Sequence, residues 1–297
     1  MAASTISPEV LLPTTERASW RRLAARLRRL SRRNPLGVAG ALLVVFIVAV
    51  ATLGPYFTDN PTKISAQILQ GPSAEHWFGT DHIGRDYFAR VVAGGRLSIM
   101  LAFTAMFIGV SIALVVGMLS AYLGGIVDLT AQRIIDVFLA FPGLILLMLL
   151  GQSLGRGWGS MAIGLGALYA VSVSRVIRAY TLSTLAQTYI ESARVIGASP
   201  VRVLLRYVLP NMFAPLLIYV SAIMSAAILA EGALAFLGLG IAPPTPSWGR
   251  MLAEGRALWQ QPYLSIFPGV AMTMAVLGFS LLGDSLRDEL DPRLRNR

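Results

Sequence analysis

Few side chains in this 297-residue sequence could do covalent chemistry. It has no cysteine, which removes thiolate nucleophiles, thiolate metal ligands and disulfides. His76 and His82 are the only histidines, and no cluster of ligands stands around them at metal spacing. No serine, histidine and acid read as a nucleophilic triad. The one lysine, Lys63, follows Asp59-Asn60-Pro61-Thr62 with no glycine loop, so the chain cannot form a lysine-bearing phosphate loop of its own. What remains are groups that pair or bind rather than react. Glu231 is the one acid well inside an apolar run, while Asp136 and Asp284 lie near the ends of such runs. A lone carboxylate is costly in lipid, so Glu231 must face protein or water. Either a solute's amine or a fixed hydrogen bond would satisfy it.

The densest set of polar groups is internal, from Tyr189 to Pro210, reading YIESARVIGASPVRVLLRYVLP. Its spacing predicts two short helices with a break. Gly197 can take the left-handed conformation that ends the first. Ser199 can cap the next helix and Pro200 suits its first position. Pro210 ends that helix and opens the following apolar run. Glu191, Arg194, Arg202 and Arg206 make the hairpin either a docking surface or a packed loop that connects two spans.

The elements that position these groups belong in a membrane. The chain is 55% hydrophobic and 13% charged, against about 25% charged in soluble domains. Uncharged runs predict six transmembrane helices near residues 37–57, 97–122, 134–153, 158–177, 211–233 and 263–284. All must be helical, because lipid offers backbone groups no partner. The fourth is rich in Gly, Ser and Ala, which lets helices approach closely. Phe141-Pro142 lies inside the third, where proline removes a hydrogen bond and kinks the helix.

A net charge of +10 would suggest nucleic acid in a soluble protein. Here it marks flanks against anionic lipid, and no nucleic acid is expected. With the N-terminus inside, cytoplasmic segments carry 18 of the 25 basic residues; Lys63, Arg85, Arg90, Arg96, Arg156, Arg250 and Arg256 fall outside. The positive-inside rule therefore puts both termini and the 178–210 loop in the cytoplasm. The expected division is a basic N-terminal segment over 1–36, a first helix over 37–57, an outer loop over 58–93, a five-helix core over 94–284 and a tail over 285–297. Trp20–Leu30 could lie on the membrane as a basic amphipathic helix.

Two outer stretches add detail. Phe78-Gly79-Thr80-Asp81, Gly84-Arg85-Asp86, Arg90 and Gly95-Arg96-Leu97-Ser98 read as a compact loop. There Asp81 and Asp86 could pair with Arg85, Arg90 or Arg96 and cap a helix starting near Leu97. Ala233–Gly249, ALAFLGLGIAPPTPSWG, is apolar but too rich in Gly and Pro for one helix. Such backbone at membrane depth must be buried or line a cavity, and Trp248 and Trp259 are expected at the outer interface.

These stretches resemble a known family. Glu191-Ser192-Ala193, three residues, Gly197, nine residues and Tyr207-Val208-Leu209-Pro210 is similar to the EAA loop of ABC-importer permeases, with Ser192 and Tyr207 departing mildly from the pattern. The FGTDxxGRD-like run and the tail from Gly283 to Leu294 resemble the dipeptide, oligopeptide and nickel branch. The resemblance implies an all-α, six-helix type I importer domain in the bacterial cytoplasmic membrane. It implies a second homologous permease, two ABC ATPase subunits or a fused pair, and an extracytoplasmic substrate-binding protein. ATP and magnesium would sit on the ATPases, with no cofactor and no metal on this chain, which would not itself be an enzyme. It further implies a coupling loop at Glu191, Ser192, Ala193, Gly197, Ala198, Leu209 and Pro210. An outer gate is expected around Glu231, Leu237, Gly238, Pro244 and Trp248. The implied solute is a di- or oligopeptide, with nickel chelates or another small solute as the alternative. A secondary transporter is the rival class, but an intramembrane relay of acids or histidines is missing.

The absence of cysteine makes the orientation directly testable. Val195→Cys should react with an impermeant thiol reagent only after cells are opened; labelling from outside sealed cells would invert the topology.

Overall fold

The computed structural model describes residues 34–155 and 157–290. The expectations for the N-terminal segment before Asn34, Trp20–Leu30 included, and for the last seven residues lie outside the described residues. The chain forms α1 Pro35–Leu53, α2 Tyr87–Leu123, α3 Gly125–Ala140, α4 Gly143–Leu154, α5 Trp158–Leu185, α6 Thr188–Val195, α7 Pro200–Val203, α8 Leu209–Phe236, α9 Trp248–Ala257 and α10 Tyr263–Leu290. A wider helical turn over Leu204–Val208 joins α7 to α8. There is no strand among the described residues, only an isolated pairing of Thr80 with Asp86.

Five helices are long and apolar enough to cross a bilayer, and six spans result if the bent pair α3–α4 counts as one. This corrects the expectation of a merely kinked third helix over 134–153. The two halves meet at 93°. Pro142 has no N–H to donate and pushes the residue before it out of helical space; Phe141 is extended, with φ −88° and ψ 138°. Two residues thus leave the helix together, which breaks it. α3 is tied back to α5 by ion pairs of Asp128 with Arg178 and Asp136 with Arg175.

The first two helices also differ from their expected bounds. α1 starts at Pro35, held at its first position by Asn34, whose Oδ1 accepts from the Gly37 N–H at 3.0 Å. α2 begins at Tyr87 rather than near Leu97, so the outer loop ends at Asp86 instead of 93. Asp86 caps it, accepting from the Ala89 N–H at 2.8 Å. Arg90 and Arg96, read in sequence as loop charges, are helical. The 37 residues of α2 extend about 55 Å, well past a hydrocarbon core of about 30 Å. Its first turns therefore stand outside the core and carry the outer loop.

Small residues set the central crossing, as the composition of the fourth span predicts. α2 and α5 meet at Gly109 and Gly166: a Cβ on Gly109 would lie 2.8 Å from the Gly166 carbonyl oxygen. Lipid gives no hydrophobic drive between helices, so van der Waals packing and such backbone approach hold them together. One apolar core joins α1, α2, α8, α9 and α10 around Trp248, Met251, Ile228 and Ala275. A second seats the 187–210 hairpin on the ends of α2, α5 and α8.

Gly109→Leu should lower the unfolding midpoint of the detergent-solubilised protein, by a cost of about 1–3 kcal/mol for overpacking. Gly151→Ala, where a Cβ meets nothing within 4 Å, should leave the midpoint unchanged or slightly raised. Equal effects of the two would show that the Gly109 crossing is not close-packed.

Candidate functional site

The 187–210 hairpin is built by two capping devices. α6 ends in a Schellman arrangement: Gly197 N–H donates to the Arg194 carbonyl at 3.0 Å and Ala198 N–H to the Ala193 carbonyl at 3.0 Å. Gly197 has φ +86°, which favours glycine. Ser199 Oγ then accepts from the Arg202 N–H at 3.4 Å, with Pro200 opening α7. The sequence-expected break is therefore present, with Gly197, Ser199 and Pro200 in the anticipated positions.

One side of this hairpin is anchored and the other is bare. Ile190, Val203 and Val208 are buried, packed with Met118, Ile177 and Met212 of the spans, and Ala193 is buried as well. Arg194 lies 5.4 Å from the centre of the Tyr122 ring at the end of α2, a cation–π contact. Outward, Val195 is 87% and Ile196 82% exposed, with Val201 and Leu205 beside them. Among the described residues Glu191 forms no ion pair with Arg194 or Arg202, so it does not brace the loop from within. Ser192 is exposed with its hydroxyl turned to the Thr188 carbonyl, Ala198 is half-buried, and Leu209 and Pro210 form the first turn of α8. These residues therefore belong to one compact element.

At the opposite end, α8 finishes with the same device. Gly238, at φ +81°, donates to the Ala235 carbonyl, and Leu239 N–H donates to the Leu234 carbonyl at 2.9 Å. Ala233–Phe236 are thus the last turn of α8, and only residues 237–247 are irregular. Leu239, Gly240 and Ile241 are buried while residues 242–244, Pro244 included, are exposed, and Leu237 is 53% exposed. Ser247 caps α9, accepting from the Arg250 N–H at 3.3 Å.

Trp248 departs from expectation. It is 4% exposed, inside the protein rather than at a lipid interface. Its Nε1 donates to the Val91 carbonyl at 2.9 Å, and its ring lies against Gly95, where a Cβ would sit 2.6 Å from it. The indole N–H thus finds a protein acceptor instead of the interface. Trp259 is exposed. Glu231 is enclosed at 0% exposure, so no solute reaches it in this conformation. The Ser98 and Ser247 hydroxyls are directed at it, yet neither carboxyl oxygen closes a hydrogen bond. The oxygens of both serines already accept backbone N–H groups, from Trp248 and Arg250. Their protons are therefore what Glu231 is offered, and it joins α2, α8 and the start of α9.

The outer loop is locked to the same region. Asp81 accepts from the Ile83 and Arg85 N–H groups and from Arg85 Nε at 2.6 Å, and Arg90 Nε lies 3.4 Å away. Burial opposes the Asp81 charge, but these hydrogen bonds and the two arginines win and hold its carboxyl below the ordinary value. Asp86 pairs with His76 and caps α2 rather than meeting an arginine. Arg90 reaches on to Glu254 of α9 at 3.1 Å. Tyr263 Oη donates to the Thr80 carbonyl and Tyr87 Oη to the Leu264 carbonyl. The role of Arg90 as a link between the loop and α9 was not legible in sequence; the charge of a helix residue gave no sign of a partner 164 residues away.

Comparison with known proteins agrees with this architecture. Residues 109–296 match the family model described as binding-protein-dependent transport system inner membrane component. Residues 19–72 match the N-terminal TM domain of oligopeptide transport permease C. The chain is 38% identical over 288 residues to the glutathione transport system permease protein GsiD of Escherichia coli, covering 95% of this chain and 93% of that one. GsiD of Shigella boydii is similar to the same extent.

Asp81 sets a pH dependence. A depressed folded-state pKa contributes stability that is complete above the unfolded value and lost as pH falls through the folded one. The midpoint gap between wild type and Asp81→Asn should be full at pH 7, from a loss of about 3 kcal/mol when buried Arg90 is left short of an anion. It should close as pH falls below the ordinary carboxylate range. A gap independent of pH would remove Asp81 as its source.

Proposed function

This chain belongs to the binding-protein-dependent transport system inner membrane components, a type I ABC-importer permease family, and from that premise we propose that it is one of two permease subunits of a peptide importer. The observation that carries the reading is the bare ridge of the 187–210 hairpin. Val195, Ile196, Val201 and Leu205 stand exposed, as does Glu191, which forms no ion pair among the described residues, on an internally anchored base. An exposed apolar ridge on a fixed element marks a docking site. In this reading an ABC ATPase covers it, and ATP and magnesium act there, on the partner. The similarity to glutathione and oligopeptide permeases supports a peptide as solute, delivered by an extracytoplasmic binding protein. The hairpin lies in the cytoplasm, as the arginine distribution supports.

The mechanism follows from rigid connections. Leu204–Val208 and α8 continue the hairpin into a rod that runs to Phe236. Closure of the ATPases would press on Glu191–Gly197 and tilt that rod. At its other end the rod carries Glu231 and the bend at Leu237 and Gly238, near Pro244 of the irregular segment and Trp248 at the start of α9. Tilting would therefore shift the outer closure relative to α2, giving alternating access. ATP can bias the two states only by contacts that differ between them, and the ridge supplies such contacts.

Gly197 gives the test. In the left-handed region a side chain costs about 1–2 kcal/mol, with asparagine penalised least, and among the described residues nothing lies within 4 Å of a Cβ there. Any large effect must then come from the partner. Gly197→Asp should abolish uptake and weaken pull-down of the ATPase while the permease still inserts; Gly197→Asn should do less. Glu191→Ala should lower uptake. Wild-type uptake and ATPase binding in Gly197→Asp would show that this hairpin does not couple.

A further inference from the structure

The ion pairs at the outer end form one alternating chain: Arg85, Asp81, Arg90, Glu254, Arg250. Both ends are arginine, so three cations meet two acids. The Arg85 end is buried with a side chain 7% exposed, whereas the Arg250 side chain is 27% exposed. Arg250 stands on the wall of a cavity of about 400 Å³ between the irregular segment and α9, lined by Gly238, Gly240, Pro243 and Ala253, with Glu254 its other charged residue. A charged pair does not face lipid tails, so the cavity opens to water or to the solute's route.

The two charged groups differ in what they have left to offer. Glu254 is used on both oxygens: Oε1 accepts from Arg250 Nε at 2.8 Å and Oε2 from Arg90 Nη2 at 3.1 Å. It has little left for an incoming amine. Arg250 donates through Nε and through Nη1, to the Ile241 carbonyl at 3.2 Å. Its Nη2 has no partner among the described residues, and a guanidinium carries five N–H donors in a planar fork suited to a carboxylate. The backbone bond to Ile241 holds the fork against the cavity wall, so the binding edge is positioned in advance. The unpartnered donors of Arg90 are buried, whereas the free edge of Arg250 meets a cavity.

We propose that this cavity is an outer subsite for the carboxylate of the transported solute, held by Arg250; the proposal rests on the peptide-import reading above. The test uses the complete complex in proteoliposomes with its binding protein, supplied with trialanine or its C-terminal amide. Each is used at a concentration shown separately to saturate the binding protein. Wild type should import the free acid about tenfold faster than the amide, the size expected for one hydrogen bond to a charged group. Arg250→Gln should bring that ratio towards one, and Arg250→Lys should keep part of it. Ala253→Asp, which adds an anion to the cavity wall beside Arg250 and leaves Arg250 and Glu254 themselves in place, should lower the ratio as well. An unchanged ratio in Arg250→Gln and Ala253→Asp, or equal wild-type rates for acid and amide, would overturn the subsite. Import of neither peptide by wild type would instead overturn the peptide-import reading, and the subsite with it.

Discussion

Arg90 is a cation with a side chain 1% exposed, set between Asp81 and Glu254. Removing either partner would leave an uncompensated buried charge, at a cost of several kcal/mol. That requirement organises the whole outer end. It fixes the 57–86 loop, through Asp81, to the first turns of α2, and it fixes α9, through Glu254, to the same turns. Because α2 extends past the hydrocarbon core, the pairing can form where lipid does not forbid it. The tyrosine bonds of Tyr87 and Tyr263 repeat the connection from α10. Loop, α9 and the start of α10 therefore behave as one body built on α2.

The opposite end follows a different rule. There the hairpin is held by apolar contacts and backbone capping, and its charges are left to solvent. The bend before the rod is closed by a Schellman cap at Gly197, which ends α6, and the far end of α8 is closed by the same geometry at Gly238. A Schellman cap satisfies the last carbonyls of a helix within a few residues, so each end turns sharply without borrowing partners from elsewhere. The rod can consequently tilt between its two bends without breaking hydrogen bonds along its length. Under the proposed mechanism, a displacement at one bend would be carried to the other through packed backbone, a physical route rather than a correlation.

What the sequence made legible was local. Gly197, Ser199 and Pro200 announce their own conformation, because capping chemistry depends on neighbours three or four residues away. Apolar runs announce helices for the same reason. Two of the failures were cases where a distant group decided the outcome. Trp248 was expected at the interface, but an indole is equally content with a buried acceptor, and the Val91 carbonyl supplies one. The start of α2 was placed ten residues late because arginines in a row read as loop; burial of Arg90 depends on Glu254, far along the chain. The third span failed in degree. Proline at 142 predicts a kink, and the extended Phe141 before it turned the kink into a right-angled break.

The contrast between the two ends carries the functional argument further than either end alone. At the outer end Asp81, Asp86 and Glu254 each find a partner inside this chain. At the hairpin, Glu191, Arg202 and Arg206 pair with no opposite charge among the described residues, and the apolar side chains between them are bare. A chain that pairs its buried charges internally on one side and leaves the hairpin charges and apolar ridge open on the other has, at the hairpin, a surface suited to a second protein. Solvent alone would favour a polar ridge there, since exposing Val195 and Ile196 gains nothing in water. Retaining them makes sense when a partner removes them from water in the assembled state, and the rigid base beneath them means that little ordering entropy is lost when it does.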